Sequence, residues 1–396
     1  MNRRRRWMDE ENKKYEKVPK ETKTLSEQIL KKINTEENKE LKKIFGQLKL
    51  KIKLSSEPKL LKNGKICSIS KNIFTIYDDK YFKKLYEIKF KKDTKILDTI
   101  ELNNNYLILL SQEKEKMEDD FSIFYFSGFL NKILIYKLKD KNYVLIQEIK
   151  EDMTGFATQK KRSGCEIMPK SYYPEYLKEI SNNRFFCVSN YGIKLFSLNI
   201  KNEYASILTF PIRNTIKIIH EINEKNFIIC SNISHSASLG GPGYTELYIE
   251  KIILDSSNVL GMLDLFGDEY YDYSLDYVSL KNKYFAIKIN EYIFLFDTTN
   301  GNLLKRFEIK FNEISFEKIS IKKWNNDEDN EFLLFIDNNI ILFQLDEDNF
   351  NLKIKGYTSI EPDLEDKNKY YSSNYIKINE KENKFYLFEG NSIKIY

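Results

Sequence analysis

One short pattern, an apolar residue, any residue, an apolar residue and an aromatic, recurs along the chain and limits what it can fold into. It stands as Phe74-Thr75-Ile76-Tyr77, Ile133-Leu134-Ile135-Tyr136 and Ile193-Lys194-Leu195-Phe196. It returns as Ile293-Phe294-Leu295-Phe296, Ile340-Ile341-Leu342-Phe343 and Ile393-Lys394-Ile395-Tyr396. A seventh copy, Leu247-Tyr248-Ile249-Glu250, ends on a carboxylate instead of a ring. The closing positions 77, 136, 196, 250, 296, 343 and 396 lie 59, 60, 54, 46, 47 and 53 residues apart. A chain of 396 residues exceeds the usual single domain of roughly 100–200 residues. A repeat escapes that limit, because each unit packs only on its neighbours. The 27 Tyr and 27 Phe residues supply the large side chains that pleated, half-buried surfaces favour.

The surroundings of each copy fill out a unit of four strands. Just before it lies another apolar run, as in 184–190, 226–232, 284–290, 331–337 and 384–390. Earlier still comes a third, as in 176–181, 216–223 and 316–324; after it comes a fourth, as in 83–90, 143–150, 204–210 and 303–310. Polar joints such as Lys71-Asn72, Asn338-Asn339 and Thr299-Asn300-Gly301 are turn chemistry. Four short strands recurring every ~40–50 residues mark the blades of a β-propeller. The expected fold is therefore all-β, a seven-bladed β-propeller over residues 46–396.

Tyr396 ends the third strand of the last unit, which leaves that unit without a fourth. Leu48–Leu54 alternates apolar and cationic residues with strict period two, as a strand with one wet face does. Placed outermost in blade seven, it closes the ring and removes an open edge. The repeat grammar resembles the WD40-like propeller superfamily over residues 46–396. Tyr77-Asp78 and Phe296-Asp297 stand where that family ends its third strand with Trp-Asp. No Gly-His pair occurs, and neither Trp7 nor Trp324 precedes Asp. The resemblance implies an interaction platform rather than an enzyme.

Strands that alternate in direction bring the b–c and d–a connections of every blade to one end. Four long connections fall there: 113–131, 152–175, 231–243 and 267–275, in blades two to five. They hold Phe124, Tyr125, Phe126, Phe129, Tyr172, Tyr173, Tyr270, Tyr271 and Tyr273, with the cations Lys160, Lys161 and Arg162. Long loops on a rigid scaffold serve binding, and aromatics and Arg anchor protein interfaces. These residues are the expected partner contacts; the alternative is that the rings pack the inserts onto the propeller.

Catalytic and metal chemistry find little support. Only two histidines occur; His220 sits in an apolar strand, and His235 adjoins the glycine-rich 240–243. A nucleophile needs a base held in fixed geometry, and a phosphate loop needs a following helix. The acidic stretches 113–121, 267–273 and 361–367 lack the alternating-oxygen spacing of a calcium loop. No cofactor and no metal are expected. Cys67, Cys187 and Cys230 lie in apolar runs, and with Cys165 they form no CxxC pair, so buried free thiols in a reducing compartment are expected.

The net charge of +5 resides in residues 1–45, with 14 Lys/Arg against 9 Asp/Glu, while the remainder carries 50 of each. A neutral body argues against nucleic-acid binding by the propeller. Arg3, Arg4, Arg5 and Arg6 form a basic cluster that could meet RNA or an anionic surface. From Thr24 a helix is expected to about residue 45: Thr24 and Glu27 suit a capping box, and Leu25, Ile29, Ile33, Leu41 and Phe45 form an apolar stripe. That stripe docks either on the propeller itself, the favoured reading, or in a partner's groove. The start of the chain does not read as a secretory leader, and no apolar stretch reaches the ~20 residues of a membrane span. The expectation is a non-catalytic scaffold, cytoplasmic or nuclear, whose ring is a monomer and joins protein partners in a larger complex; a propeller hydrolase using the central channel is the alternative that the scarcity of histidine disfavours.

Overall fold

The structure is a computed structural model. It describes residues 29, 39, 41–42 and, between 50 and 395, all but 55, 57, 62–63, 79–80, 115–128, 141, 152–158, 161–165, 168–173, 191, 212–214, 236–243, 255–258, 271–273, 282, 301, 310–318, 325–329, 337–338, 360–375, 380–383 and 390–391. The described residues are almost entirely β-strand and separate into two units, 54–271 and 1–53 with 272–396.

The first unit holds four antiparallel four-stranded sheets, each in chain order. They are β2 (Pro58–Leu60), β3 (Ile66–Ser70), β4 (Ile73–Tyr77) and β5 (Lys84–Lys89), then β6 (Thr94–Glu101), β7 (Tyr106–Lys114), β8 (Phe129–Lys139) and β9 (Asn142–Glu151). After a small hairpin of β10 (Gln159–Lys160) and β11 (Glu166–Ile167) come β12 (Pro174–Ile180), β13 (Arg184–Ser189), β14 (Gly192–Leu198) and β15 (Tyr204–Pro211). The fourth sheet is β16 (Thr215–Asn223), β17 (Asn226–His235), β18 (Tyr244–Leu254) and β19 (Val259–Tyr270). The second unit holds β20 (Leu275–Leu280), β21 (Tyr284–Ile289), β22 (Tyr292–Asp297) and β23 (Leu303–Glu308), then β24 (Ile319–Lys323), β25 (Glu331–Ile336), β26 (Asn339–Asp346) and β27 (Asn351–Ser359). Its last sheet, β28 (Ile376–Asn379), β29 (Lys384–Glu389) and β30 (Ser392–Ile395), gains its outer strand from β1 (Leu50–Lys53). Leu50 stands opposite Ile395 and Lys53 opposite Ser392.

The middle strands explain the apolar runs. All positions of β21 are buried, and β13 and β25 are buried beyond their first residue. A strand covered on both faces loses its polar alternation and reads as a continuous apolar stretch. One cluster joins the faces of β20–β23 to β24–β27 through Val278, Leu295, Phe307, Phe332 and Phe343. Ile29 belongs to the same cluster and is fully buried. Ile29, Lys39, Leu41 and Lys42 are helical; Leu41 is buried, whereas Lys39 and Lys42 are exposed. The apolar stripe therefore docks on this chain at Ile29; Leu25, Ile33 and Phe45 lie outside the described residues.

Neighbouring sheets are also stitched by polar groups. Asp98 on β6 accepts the Leu177 N–H of β12 at 2.7 Å and pairs with Lys59 Nζ of β2 at 2.6 Å. Asp276 on β20 repeats the device, accepting the Ile321 N–H of β24 at 3.1 Å and pairing with Lys322 Nζ at 2.8 Å. Each carboxylate satisfies an inner-strand N–H that the ladder leaves without a strand partner.

The outer strands share a defect. Register slips by one residue opposite the step between the third and fourth motif residues: Ile76/Tyr77, Ile135/Tyr136, Leu195/Phe196, Ile249/Glu250, Leu295/Phe296 and Leu342/Phe343. The extra residues are Leu85, Ile146, Ile207, Leu265, Leu304 and Lys355. A bulge twists the strand and re-aims the following side chain. Tyr86, directly after Leu85, donates its hydroxyl to Tyr143 O of the next outer strand at 2.6 Å. Gln147, directly after Ile146, holds both Tyr204 O and Tyr204 N at 2.8 Å. Lys305, directly after Leu304, donates to Asn351 Oδ1.

Replacing Ile29 by Ala should cost about 2–5 kcal/mol, the range for deleting a buried branched side chain, read from urea unfolding followed by tyrosine fluorescence. A loss within error would mean that the helix does not contribute to this core.

Candidate functional site

The end of each sheet that carries the b–c connection gathers the start of the inner strand and the end of the outer one. In the second sheet Thr94, Glu113, Leu130 and the paired Asn131 and Glu151 lie at that end. It is pinned by polar contacts. Gln112 Nε2 donates to Asn131 Oδ1 at 3.1 Å, and Lys132 Nζ reaches Glu148 at 3.0 Å and Glu113 at 3.2 Å. These two carboxylates, Glu148 foremost, hold the Lys132 ammonium above its ordinary value. Lys194 Nζ on β14 meets Glu151 Oε1 on β9 at 2.8 Å, with both side chains nearly inaccessible. Because Glu151 ends the outer strand and Lys194 lies near the start of the third, this pair fixes the same ends of sheets two and three side by side. At the opposite end, Glu221 accepts the Ser181 N–H at 2.7 Å, joining the a–b turns of sheets three and four.

At the b–c end the fourth sheet outgrows its inner strand. Thr215 stands opposite Asn232, but β17, β18 and β19 continue through Ile233–Glu246–Glu269 and Ser234–Thr245–Tyr270 to His235–Tyr244. The connections expected over 113–131, 231–243 and 267–275 are thus partly strand. Lys114, Phe129 and Asn131 belong to β7 and β8, Ser231–His235 to β17, Gly267–Tyr270 to β19, and Leu275 opens β20. Cross-strand pairing continues wherever two neighbours remain extended, whatever the inner strand does. The long connection 152–175 contains the β10–β11 hairpin, which the sequence reading missed; its two-residue strands are too short to show a period.

Of the expected contact residues, Phe129 opens β8 opposite Lys114, Lys160 ends β10 opposite Glu166, and Tyr270 ends β19 opposite Thr245. Phe124, Tyr125, Phe126, Lys161, Arg162, Tyr172, Tyr173, Tyr271, Tyr273 and the Arg3–Arg6 cluster lie outside the described residues. His220 is half-buried on β16 opposite Ile228, and His235 closes β17. Among the described residues no group of three His, Cys, Asp or Glu is placed to hold a metal ion, and no helix is long and apolar enough to cross a membrane. An open hollow of about 490 Å³ is lined by Asn330, Gln344, Asp346, Glu347, Asp348 and Lys353. Two of its carboxylates are engaged: Lys281 and Asn330 hold Glu347 below the usual carboxylate range, and Lys353 and Asn349 do the same for Asp346.

No protein-family model and no curated protein matches the sequence. Solved structures do match. A chain of the mitotic checkpoint complex aligns over 88% of this chain and 94% of its own, with a TM-score of 0.54 at 7% identity. YCF48 bound to D1 peptide aligns over 88% and 96%, with a TM-score of 0.51 at 9% identity. The β-propeller domain of Nup133 from Vanderwaltozyma polyspora aligns over 77% and 83%, at 0.43 and 12%. The fold is a β-propeller. The first two alignments carry that statement, and at such identities they speak for architecture alone. In the propeller each four-stranded sheet is a blade, and the candidate site is the blade end where the b–c and d–a connections meet.

The propeller's described cysteines are free and buried, all on second strands: Cys67 on β3, Cys187 on β13 and Cys230 on β17. Burial pushes the Cys67 thiol up to about 12 and raises those of Cys187 and Cys230. Cys165 lies outside the described residues.

Two outcomes follow from these groups. Lys194→Met should cost about 3–5 kcal/mol by taking the cation away from the buried Glu151 carboxylate, while Lys194→Met with Glu151→Met should recover most of it; chemical unfolding reads both. Equal losses in single and double variants would mean that the pair is not buried together. Cys67, Cys187 and Cys230 should resist alkylation in the native protein and react on unfolding, as read by peptide mass. For Cys67 the folded protein keeps a proton that the unfolded chain releases above its ordinary value of 9.0, so its contribution is full below that pH and is lost as pH rises toward about 12. Alkylation of any of the three at the rate of a free thiol peptide would contradict this placement.

Proposed function

We propose that this chain is a non-catalytic interaction scaffold, working in a reducing compartment, that captures a protein partner through the b–c and d–a connections of blades two to five. In this reading its seven sheets close as one monomeric ring sealed by β1 beside β30, and residues 46–396 form the propeller behind the basic extension 1–45. The single observation that carries it is the growth of blades at one end. β7–β9 and β17–β19 are longer than the outer three strands of blades one and five, and the surplus of blade four projects past its inner strand. Strands paired in one continuous ladder make a stiff pedestal, so the connections they carry need less ordering on binding. Phe124, Tyr125, Phe126, Phe129, Tyr172, Tyr173, Tyr270, Tyr271 and Tyr273, with Lys160, Lys161 and Arg162, are the proposed contacts. Two of the similar structures are themselves caught with other polypeptides, one in a checkpoint complex and one with D1 peptide. The partner is of the same general kind, a protein.

The test replaces residues 115–128, which join β7 to β8, by a two-residue turn and compares affinity capture from cells with that of the full chain. Partner capture should be lost while the melting transition stays cooperative. Unchanged capture would overturn the placement, and capture lost only on removing residues 1–23 would move the contact to the basic extension.

A further inference from the structure

The seven outer strands are not equally defended against added strands. An outer strand offers unpaired N–H and C=O groups to any extended segment, and proteins blunt such edges with Lys, Pro, shortness or bulges. β5, β9, β23, β27 and β1 each contain Lys, and β15 ends on Pro211. β19 has neither Lys, Arg nor Pro, and at 12 residues it is the longest of the seven. Its one flank pairs with β18, and among the described residues no strand pairs with the other. Two bulges interrupt it, at Ile249/Glu250 and Ile253/Leu254, but Phe266–Tyr270 runs in unbroken register against Ile249–Thr245. That run ends at the blade end proposed above for partner capture.

The charge of this edge selects what can join it. The only ionisable side chains of β19 are acidic apart from the Tyr270 phenol, namely Asp264, Asp268 and Glu269, and the sequence continues with Asp272. A second copy of β19 would bring the same carboxylates to one ladder, and like charges across a ladder are destabilising. A segment carrying Lys or Arg at alternate positions is complementary.

We propose that β19 is a strand-addition site, and that the occupant is an extended basic segment of the partner protein, which pairs through its backbone as a fifth strand of blade four. This rests on the scaffold reading and names its partner chemistry. Main-chain hydrogen bonds hold such a segment, and side chains at alternate positions select it.

The probe is a fluorescein-labelled peptide of alternating Lys and Val, added to the full chain. Anisotropy should rise on binding, and amide exchange should slow in 259–270. The double variant Asp268→Lys, Glu269→Lys should weaken binding by about tenfold or more, as losing complementary charge does, with an unchanged melting transition. The same peptide N-methylated at every internal backbone nitrogen keeps its charge but has no N–H to donate along either edge, and it should not bind. Because that comparison uses the unaltered protein, it holds even if the double variant fails to fold. Equal binding of the N-methylated peptide would reduce the site to a charge patch and overturn the proposal. So would the absence of binding, or a wild-type dimer that the probe displaces. The supplied peptide reports on β19 alone, whereas the 115–128 replacement reports on the connections, so either reading can fail while the other stands.

Discussion

Burial of the second and third strands on both faces is the constraint from which the other features follow. A sheet such as β20–β23 with every position of β21 buried cannot stand in water alone. It needs another sheet on each side, and burial at about 25 cal/mol per Å² makes that stacking the main driving force. Stacking leaves polar atoms at the inner strands, where a ladder partner is missing. Asp98 and Asp276 meet that need by accepting the Leu177 and Ile321 N–H groups. An unpaired buried N–H costs about 1–3 kcal/mol, so a carboxylate on these inner strands serves a structural need.

The bulges solve a related problem at the outer strands. In a radial arrangement of blades, neighbouring sheets lie farthest apart at their outer strands. A slipped residue re-aims the next side chain, and Tyr86, Gln147 and Lys305 use that direction to reach the following outer strand. The same slip leaves Leu85, Ile146 and Ile207 exposed. These side chains are the by-product of a geometric device, and their exposure alone does not mark a binding surface.

Much of the fold was legible because strand periodicity and spacing are local. The closing positions of the motif fall in third strands, Tyr77 ending β4 and Tyr136, Phe196, Glu250, Phe296 and Phe343 lying within β8, β14, β18, β22 and β26, while Tyr396 lies outside the described residues; the strand expected at Leu48–Leu54 pairs at Leu50–Lys53 with β30. The cysteines expected to be buried are so at Cys67, Cys187 and Cys230. The candidate site was legible only in position. The connections turned out partly strand at Ser231–His235 and Gly267–Tyr270, since a ladder lengthens whenever its neighbour does, and a single segment carries no record of its neighbour's length. Asp98 and Asp276 were visible as carboxylates within inner strands, although nothing local says which N–H each meets.

The sequence by itself determined the number of motif copies, the strand order within each unit and the faces that must be covered, because these depend on side-chain type and alternation along a few residues. Only the tertiary structure decided that Ile29 enters the core beside Val278 and Phe332, and that Glu151 finds Lys194. It alone showed that six of the motif copies stand opposite a bulge. Those are meetings between residues far apart in the chain, set by how sheets stack and twist, and no local pattern encodes them.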